Sequence, residues 1–297
     1  MKPMTIKYLA LLFILLFTQP GHASASTESN QKDFLWKVKS ERATVYLMGS
    51  IHLLKKEVYP LDRRIEEAFA ASDFVVVEAD INSTSNLDVQ KLVDRAFYPV
   101  QESLEKKVSR ETYEIAKEEF ARHGITPQLM NRQRPWFLAL TLTSLTLMQM
   151  GFDPEYGIER HFLSKAGRKK ILELESLEYQ IDLLSGFSDR EQESFLLYTI
   201  KDLKLLAREA EALVHAWKSG DAEGIESILS KDTAEDGSLS IIYDKLMYER
   251  NTSMAGRIEE YLRNEGTYFV IVGAGHLVGK RGIIGIMKRK GYLPEQL

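Results

Sequence analysis

Two segments far apart in the chain have the same build, and that repeat is the strongest constraint the chain offers on its fold. The first is Thr44-Val45-Tyr46-Leu47-Met48-Gly49-Ser50-Ile51-His52-Leu53-Leu54. The second is Tyr268-Phe269-Val270-Ile271-Val272-Gly273-Ala274-Gly275-His276-Leu277-Val278. Each is an apolar strand-like run, then Gly-x-x-His, then two aliphatics. With 18 glycines and 6 histidines in 297 residues, chance supplies about 0.4 Gly-x-x-His matches. Two matches, each directly after a strand-like run, point to a shared role. In α/β sheets ligands bind beyond the carboxyl ends of the strands. A glycine there lets the chain turn sharply or lets another group approach. On neighbouring strands, two such turns would bring His52 and His276 together, and neutral imidazole is a common metal ligand.

Carboxylates sit in matching places. Glu78 follows the β-branched run Phe74 to Val77, and Glu175 follows Lys169 to Leu174. The order strand–GxxH, strand–Glu, strand–Glu, strand–GxxH reads as a degenerate internal duplication with one site between the halves. Glu175 has a plainer reading as a charge favouring the helix dipole of Leu177 to Leu184. Glu173 would face the same way if the strand runs on. Glu249-Arg250-Asn251 lies inside a helical stretch. Its plain reading is a solvated helix face, and its functional one is a clamp for a carboxylate or oxyanion. His123, His161 and His215 lie in charged helical stretches and are expected at the surface.

The rest of the chain reads as one α/β domain over residues 34–297, with a large helical insertion. Phe34 to Val38 and Thr44 to Met48 form an opening hairpin. Helical spacing marks Leu61 to Ala71, Glu102 to Lys107, Arg110 to His123, Arg134 to Met150 and Ile158 to Ala166. Longer helices follow over Asp189 to Lys218, capped by Ser188, and Ser240 to Arg263. Asp221 caps a short helix to Ser230, Thr267 to Val272 is a strand, and Gly282 to Lys290 is the last helix.

The N-terminus reads as an export signal. Lys2 and Lys7 precede the uncharged run Tyr8 to Phe17, and Ala23-Ser24-Ala25 offers cleavage after Ala25. That run is about ten residues against the roughly 20 a spanning helix needs. Residues 1–25 are therefore expected to leave as a signal peptide, and 26–33 to form a disordered lead-in. The mature protein is expected in the bacterial periplasm or secreted, with no stable membrane anchor. The absence of cysteine excludes disulfides, a reactive thiol and thiolate metal sites. Net charge is −4, or −6 once Lys2 and Lys7 are removed, and charges are mixed without a basic block. Nucleic acid is not an expected partner. Oligomeric state is not legible.

Gly273 to Gly279 mimics a dinucleotide fingerprint, but its last glycine is one position late, and no strand with an acidic ribose partner follows. There is no Gly-x-Ser-x-Gly elbow, His-Glu-x-x-His helix or P-loop.

Taken together, the two Gly-x-x-His turns, Val77-Glu78, Leu172-Glu173-Leu174-Glu175 with Gln180, Glu249-Arg250-Asn251 and Val272 to Leu277 resemble the TraB/GumN family. The likeness runs from about Phe34 to Tyr292 and is strongest toward the GumN-like bacterial branch. It implies a duplicated α/β core of the Tiki and erythromycin-esterase type. In the Tiki branch it implies metal-dependent peptide cleavage, with manganese or cobalt favoured. His52 and His276 match the motif histidines and Glu78 the acidic residue of the first repeat, while Glu175, Arg250 and Asn251 match further family positions. The expectation is an exported hydrolase of a peptide or amide bond. His52, His276 and Glu78 would hold a divalent ion (Mn, Co or Zn), with Glu78 as third ligand or general base, and Arg250 would stabilise developing negative charge. The alternative is a non-catalytic protein that binds a peptide or haem.

Overall fold

The computed structural model describes residues 32–80, 89–229 and 237–297. The signal segment, its cleavage site and most of the expected lead-in lie outside the described residues. Asp33, at the end of that lead-in, is buried and held: its N–H donates to Leu297 O at 2.6 Å, and Gln296 Nε2 donates to its carbonyl at 2.9 Å.

Strands β1 (Leu35–Lys39) and β2 (Ala43–Ser50) form the expected hairpin. Helix α1 (Arg63–Ala70) leads to β3 (Phe74–Val77). A run of helices follows: α2 (Val89–Ala96), α3 (Leu104–Lys107), α4 (Arg110–Arg122), α5 (Pro127–Asn131), α6 (Pro135–Gln149) and α7 (Ile158–Ser164). Strand β4 (Lys170–Glu173) interrupts them. Then come α8 (Leu177–Ser185), α9 (Asp189–Lys218), α10 (Ala222–Leu229), α11 (Gly237–Tyr243) and α12 (Arg250–Arg263). The chain closes with β5 (Gly266–Gly273), α13 (Ala274–Leu277), α14 (Ile283–Arg289) and β6 (Glu295–Gln296).

The strands form one mixed sheet in the order β4-β3-β5-β2-β1-β6, so the fold is α/β. β4, β3, β5 and β2 are parallel neighbours, while β1 and β6 run antiparallel at one edge. The inner strands carry continuous apolar runs because both faces are covered. Val75, Val76, Val77, Phe269, Val270, Ile271 and Val272 are all fully buried. Each such side chain contributes about 1.5–3 kcal/mol of burial. Phe69 of α1 and Phe162 of α7 pack on Phe269 at centroid distances of 5.4 and 4.8 Å, fastening both helices to one sheet face. β4 is the edge, and its short run is mostly exposed.

Local signals behave as their chemistry dictates. Ser188 caps α9 in a full capping box with Glu191, and Asp221 Oδ1 accepts from Gly224 N at 2.8 Å. One helix differs from expectation. The stretch read as a single helix from Ser240 is interrupted by a π-helical segment, Asp244–Glu249, just before Arg250. A wide turn of this kind changes which residues face inward, and such turns recur at functional sites.

Candidate functional site

Four neighbouring parallel strands deliver the candidate side chains at one edge of the sheet. β2 ends at Ser50 with His52 two residues on, and Glu78 directly follows β3. Glu175 comes two residues after β4, and His276 three after β5. In the β2–β5 register, Gly49 faces Val272 and Ser50 faces Gly273, so the two Gly-x-x-His turns leave the sheet one residue out of step. Val77 faces both Ile271 and Glu173, which puts Glu78 beside the second turn.

Neither motif glycine needs an unusual backbone, and Gly49 serves close approach. Gly273 has φ −49°, and neither it nor Gly49 has a positive φ. A Cβ on Gly49 would stand 2.2 Å from Cδ1 of the buried Phe34 and 3.3 Å from the Ala274 backbone. Of the two roles expected of a glycine here, sharp turning and close approach, Gly49 shows the second.

Arg250 sits at the centre and is fully buried, not on a solvated face. Its Nε and Nη2 grip Glu175 at 2.8–3.0 Å, and Nη2 also donates to Glu78 Oε2 at 2.6 Å. Nη1 donates to Leu246 O and to His276 Nε2, each at 3.2 Å. The Leu246 carbonyl belongs to the π segment, so the irregular turn supplies an acceptor as well as an orientation. A guanidinium has five N–H groups, and these contacts engage all of them. In this arrangement every guanidinium N–H is spent on the carboxylates, the His276 ring and the Leu246 carbonyl. Gln180 Nε2 donates to Glu175 Oε2 at 3.1 Å and approaches Glu78 Oε2 at 3.4 Å, tying the two carboxylates further.

His276 is fully buried and held through both ring nitrogens. Nδ1 donates to Asn251 Oδ1 at 2.6 Å, and the Asn251 amide is itself oriented by donating to Arg281 O at 2.9 Å. This leaves Nε2 as the acceptor nitrogen, which Arg250 meets. Burial is the main reason the imidazole is pushed down to about 3. The charges of Arg250 and His52 add to it, against the pull of Glu78. Burial alone would push the Glu78 carboxyl up. His276 in its protonated form, the Arg250 and His52 charges and the Gly273 N–H outweigh it and lower the group to about 2. That N–H donates to Glu78 Oε1 at 2.6 Å. At neutral pH the pair is thus a neutral imidazole beside a carboxylate, with Nε2 and Oε1 3.8 Å apart.

His52 stands differently. Its side chain is 10% exposed, and Nδ1 lies 2.9 Å from Glu159 Oε1. The same oxygen accepts from Ser50 Oγ. Glu159 is the residue the sequence did not disclose, because an acid in the first turn of a helix reads as ordinary dipole compensation. Its signal was the preceding glycine. A Cβ on Gly157 would lie 2.3 Å from the His52 carbonyl, so α7 can start against the first turn only with glycine there. Ile158 N donates to Ile51 O at 3.2 Å, and Trp217 Nε1 at the end of α9 donates to Gly49 O at 2.7 Å.

The remaining histidines lie outside this group. His215 is exposed, as expected. His123 and His161 differ from the surface expectation, with side chains only 6% and 15% exposed. His161 pairs with Glu66 at 2.8 Å beneath the Tyr59 ring. Glu173 turns away to accept from Asp80 N.

The donor types suit a divalent ion. His276 is neutral with Nε2 as its acceptor, Glu78 is ionised, and a second imidazole stands near enough for its charge to act on both. The set is not closed around one point: among the described residues no group of three His, Cys, Asp or Glu side chains is gathered tightly enough to hold an ion. The Arg250 N–H stands on the lone pair that His276 would offer.

The fold and site together define a class, an α/β protein with a buried acid–arginine–histidine cluster at the carboxyl edge of its parallel strands. The chain belongs to the TraB/PrgY/gumN family, whose profile matches residues 34–296. It is 30% identical over 254 residues to the uncharacterized protein YbaP of Escherichia coli strain K12, covering 85% of this chain and 87% of that protein. It is 26% identical over 350 residues to metalloprotease TIKI2 of Danio rerio, covering 96% of this chain and 67% of that one. Metalloprotease TIKI1 of Homo sapiens is 23% identical over 331 residues, with 93% and 65% covered. No solved structure matches the chain.

Proposed function

We propose that this chain is an exported, metal-dependent hydrolase acting on a peptide or amide bond, in the periplasm or outside the cell. The observation that carries the reading is the pairing at the sheet edge of a neutral, tautomer-fixed imidazole with an ionised carboxylate 3.8 Å away. Similarity to proteins named metalloproteases over more than nine-tenths of the chain supports it. Among the described residues no helix is long and apolar enough to cross a membrane. The export signal lies outside those residues, so localisation rests on the sequence.

His52, His276 and Glu78 are the groups that would hold manganese, cobalt or zinc. Such an ion, when bound, supplies Lewis-acid polarisation of a scissile carbonyl and acidifies water. The chain's own residues prepare this chemistry. Asn251 fixes the His276 tautomer, as partners of ligating histidines commonly do. Glu159 steadies His52 from the opposite side. Gly273 N–H and Arg250 keep Glu78 ionised, and a group held at about 2 is a ligand rather than a general base at neutral pH. Glu175 anchors Arg250. The haem-binding alternative gains no support from His276, whose two ring nitrogens are already engaged in a fully buried position.

The test is metal analysis of purified wild-type protein and of the His52→Ala/His276→Ala double variant, coupled to cleavage of a peptide library with and without chelator. Stoichiometric metal and chelator-sensitive cleavage in the wild type alone support the reading. Metal retained unchanged by the double variant sinks it.

A further inference from the structure

We propose that Arg250 is an internal competitor for the metal position: its guanidinium holds the ion-free site together, and an ion is accepted only when Arg250 swings off His276 and Glu78 while staying anchored to Glu175. This deepens the metal reading and rests on it.

The inference follows from one lone pair and one charge count. With Nδ1–H spent on Asn251, His276 has a single lone pair, at Nε2, and Arg250 Nη1 is on it at 3.2 Å. An imidazole nitrogen cannot accept from an N–H and coordinate an ion with the same lone pair. Arg250 Nη2 is likewise on Glu78, at 2.6 Å. A divalent ion added beside an unmoved guanidinium would set two cations a few ångströms apart in a buried space, where repulsion is poorly screened.

The geometry also supplies a pivot. The grip on Glu175 is bidentate, through Nε at 3.0 Å and Nη2 at 2.8 Å, and Gln180 holds that carboxylate in place. The contact on His276 is a single bond made by the other amino group. Rotation of the guanidinium about its Glu175 fork gives up the His276, Glu78 and Leu246 contacts together and keeps the charge paired. Arg250 thereby also explains how two carboxylates, Glu78 and Glu175, can be buried side by side before any ion arrives.

The experiment is Mn²⁺ titration of the chelator-treated chain by calorimetry and electron paramagnetic resonance, for wild type, Arg250→Met, Arg250→Lys and Arg250→Met/His276→Ala. The expected result is Mn²⁺ binding at least tenfold tighter in Arg250→Met, a smaller gain of about threefold in Arg250→Lys, which keeps the charge without the fork, and loss of the gain in the double variant. Each variant is checked by circular dichroism, and Arg250→Lys carries the test if Arg250→Met does not fold. Equal affinity in wild type and the folded Arg250 variants overturns the competition and leaves the metal reading standing. No Mn²⁺ bound by any of them overturns both. A gain that survives removal of His276 shows that the shared lone pair is not the point of competition.

Discussion

The two Gly-x-x-His turns leave the same sheet from neighbouring strands, yet they are built on opposite principles. The second is a polar lock. His276 is fully buried, with Asn251 on one ring nitrogen and Arg250 on the other, and two carboxylates close the circle. The first is a steric lock. Phe34 presses on Gly49, Gly157 lets α7 start against the His52 carbonyl, and Trp217 holds the Gly49 carbonyl. His52 itself keeps some exposure and contacts the Glu159 carboxylate. One turn is thus fixed by charge and the other by shape. The shape-fixed turn carries the histidine that stands nearer to solvent.

This contrast is open to direct attack. The largest effect is expected at the polar lock. Glu175→Ala removes the bidentate anchor of a fully buried guanidinium, and breaking one side of a buried ion pair costs about 3–5 kcal/mol. Urea unfolding measures this. A loss under 1 kcal/mol would mean that Arg250 is not held as described.

Acid sensitivity should be a property of the same turn. Native His276 takes a proton only at about 3, whereas the unfolded chain takes it near 6.5. Between those values the unfolded state binds more protons, so stability falls as pH drops through that window. Glu78, held at about 2 against 4.5 when unfolded, adds stability that is lost as pH falls below 4.5. In chelator-treated protein His276→Asn should flatten the slope between pH 6.5 and 4.5, measured by unfolding at several pH values.

At the steric lock, Gly49→Ala forces a methyl into the Phe34 ring, and overpacking of this kind costs about 1–3 kcal/mol. The loss should be independent of pH and ionic strength, which thermal melts across salt concentrations will check. The smallest effect is expected from Glu159→Gln, which keeps an acceptor for Ser50 and removes the charge facing His52. A stability change of about 1 kcal/mol or less, with a clear loss of peptide cleavage, would mark Glu159 as a positioning residue for His52. Unchanged cleavage would show that the first turn needs shape alone.

Most of the frame was legible in the chain. The β-branched runs gave the buried strands, Ser188 and Asp221 their helix starts, and the repeated Gly-x-x-His the sheet edge that both histidines leave. These signals are local, since propensity, capping and period act within a few residues. Arg250 shows where local reading stops. Its neighbours make it a solvated helix residue, and it becomes the centre of the site only because a π-helical turn precedes it and Glu78 and Glu175 arrive from strands far along the chain. Glu159 was hidden for the same reason. A carboxylate in a helix's first turn needs no partner to make sense, so its pairing with His52 and Ser50 is visible only in space.

By itself, then, the sequence determined which strands are buried, where the helices begin and at which edge the histidines lie, because those follow from patterns a few residues long. Which imidazole is sealed, which stands nearer to solvent, and which cation occupies the centre were decided by the tertiary structure alone. Burial and the pairing of charges distant in the chain set those properties, and neither is written in any short stretch of it.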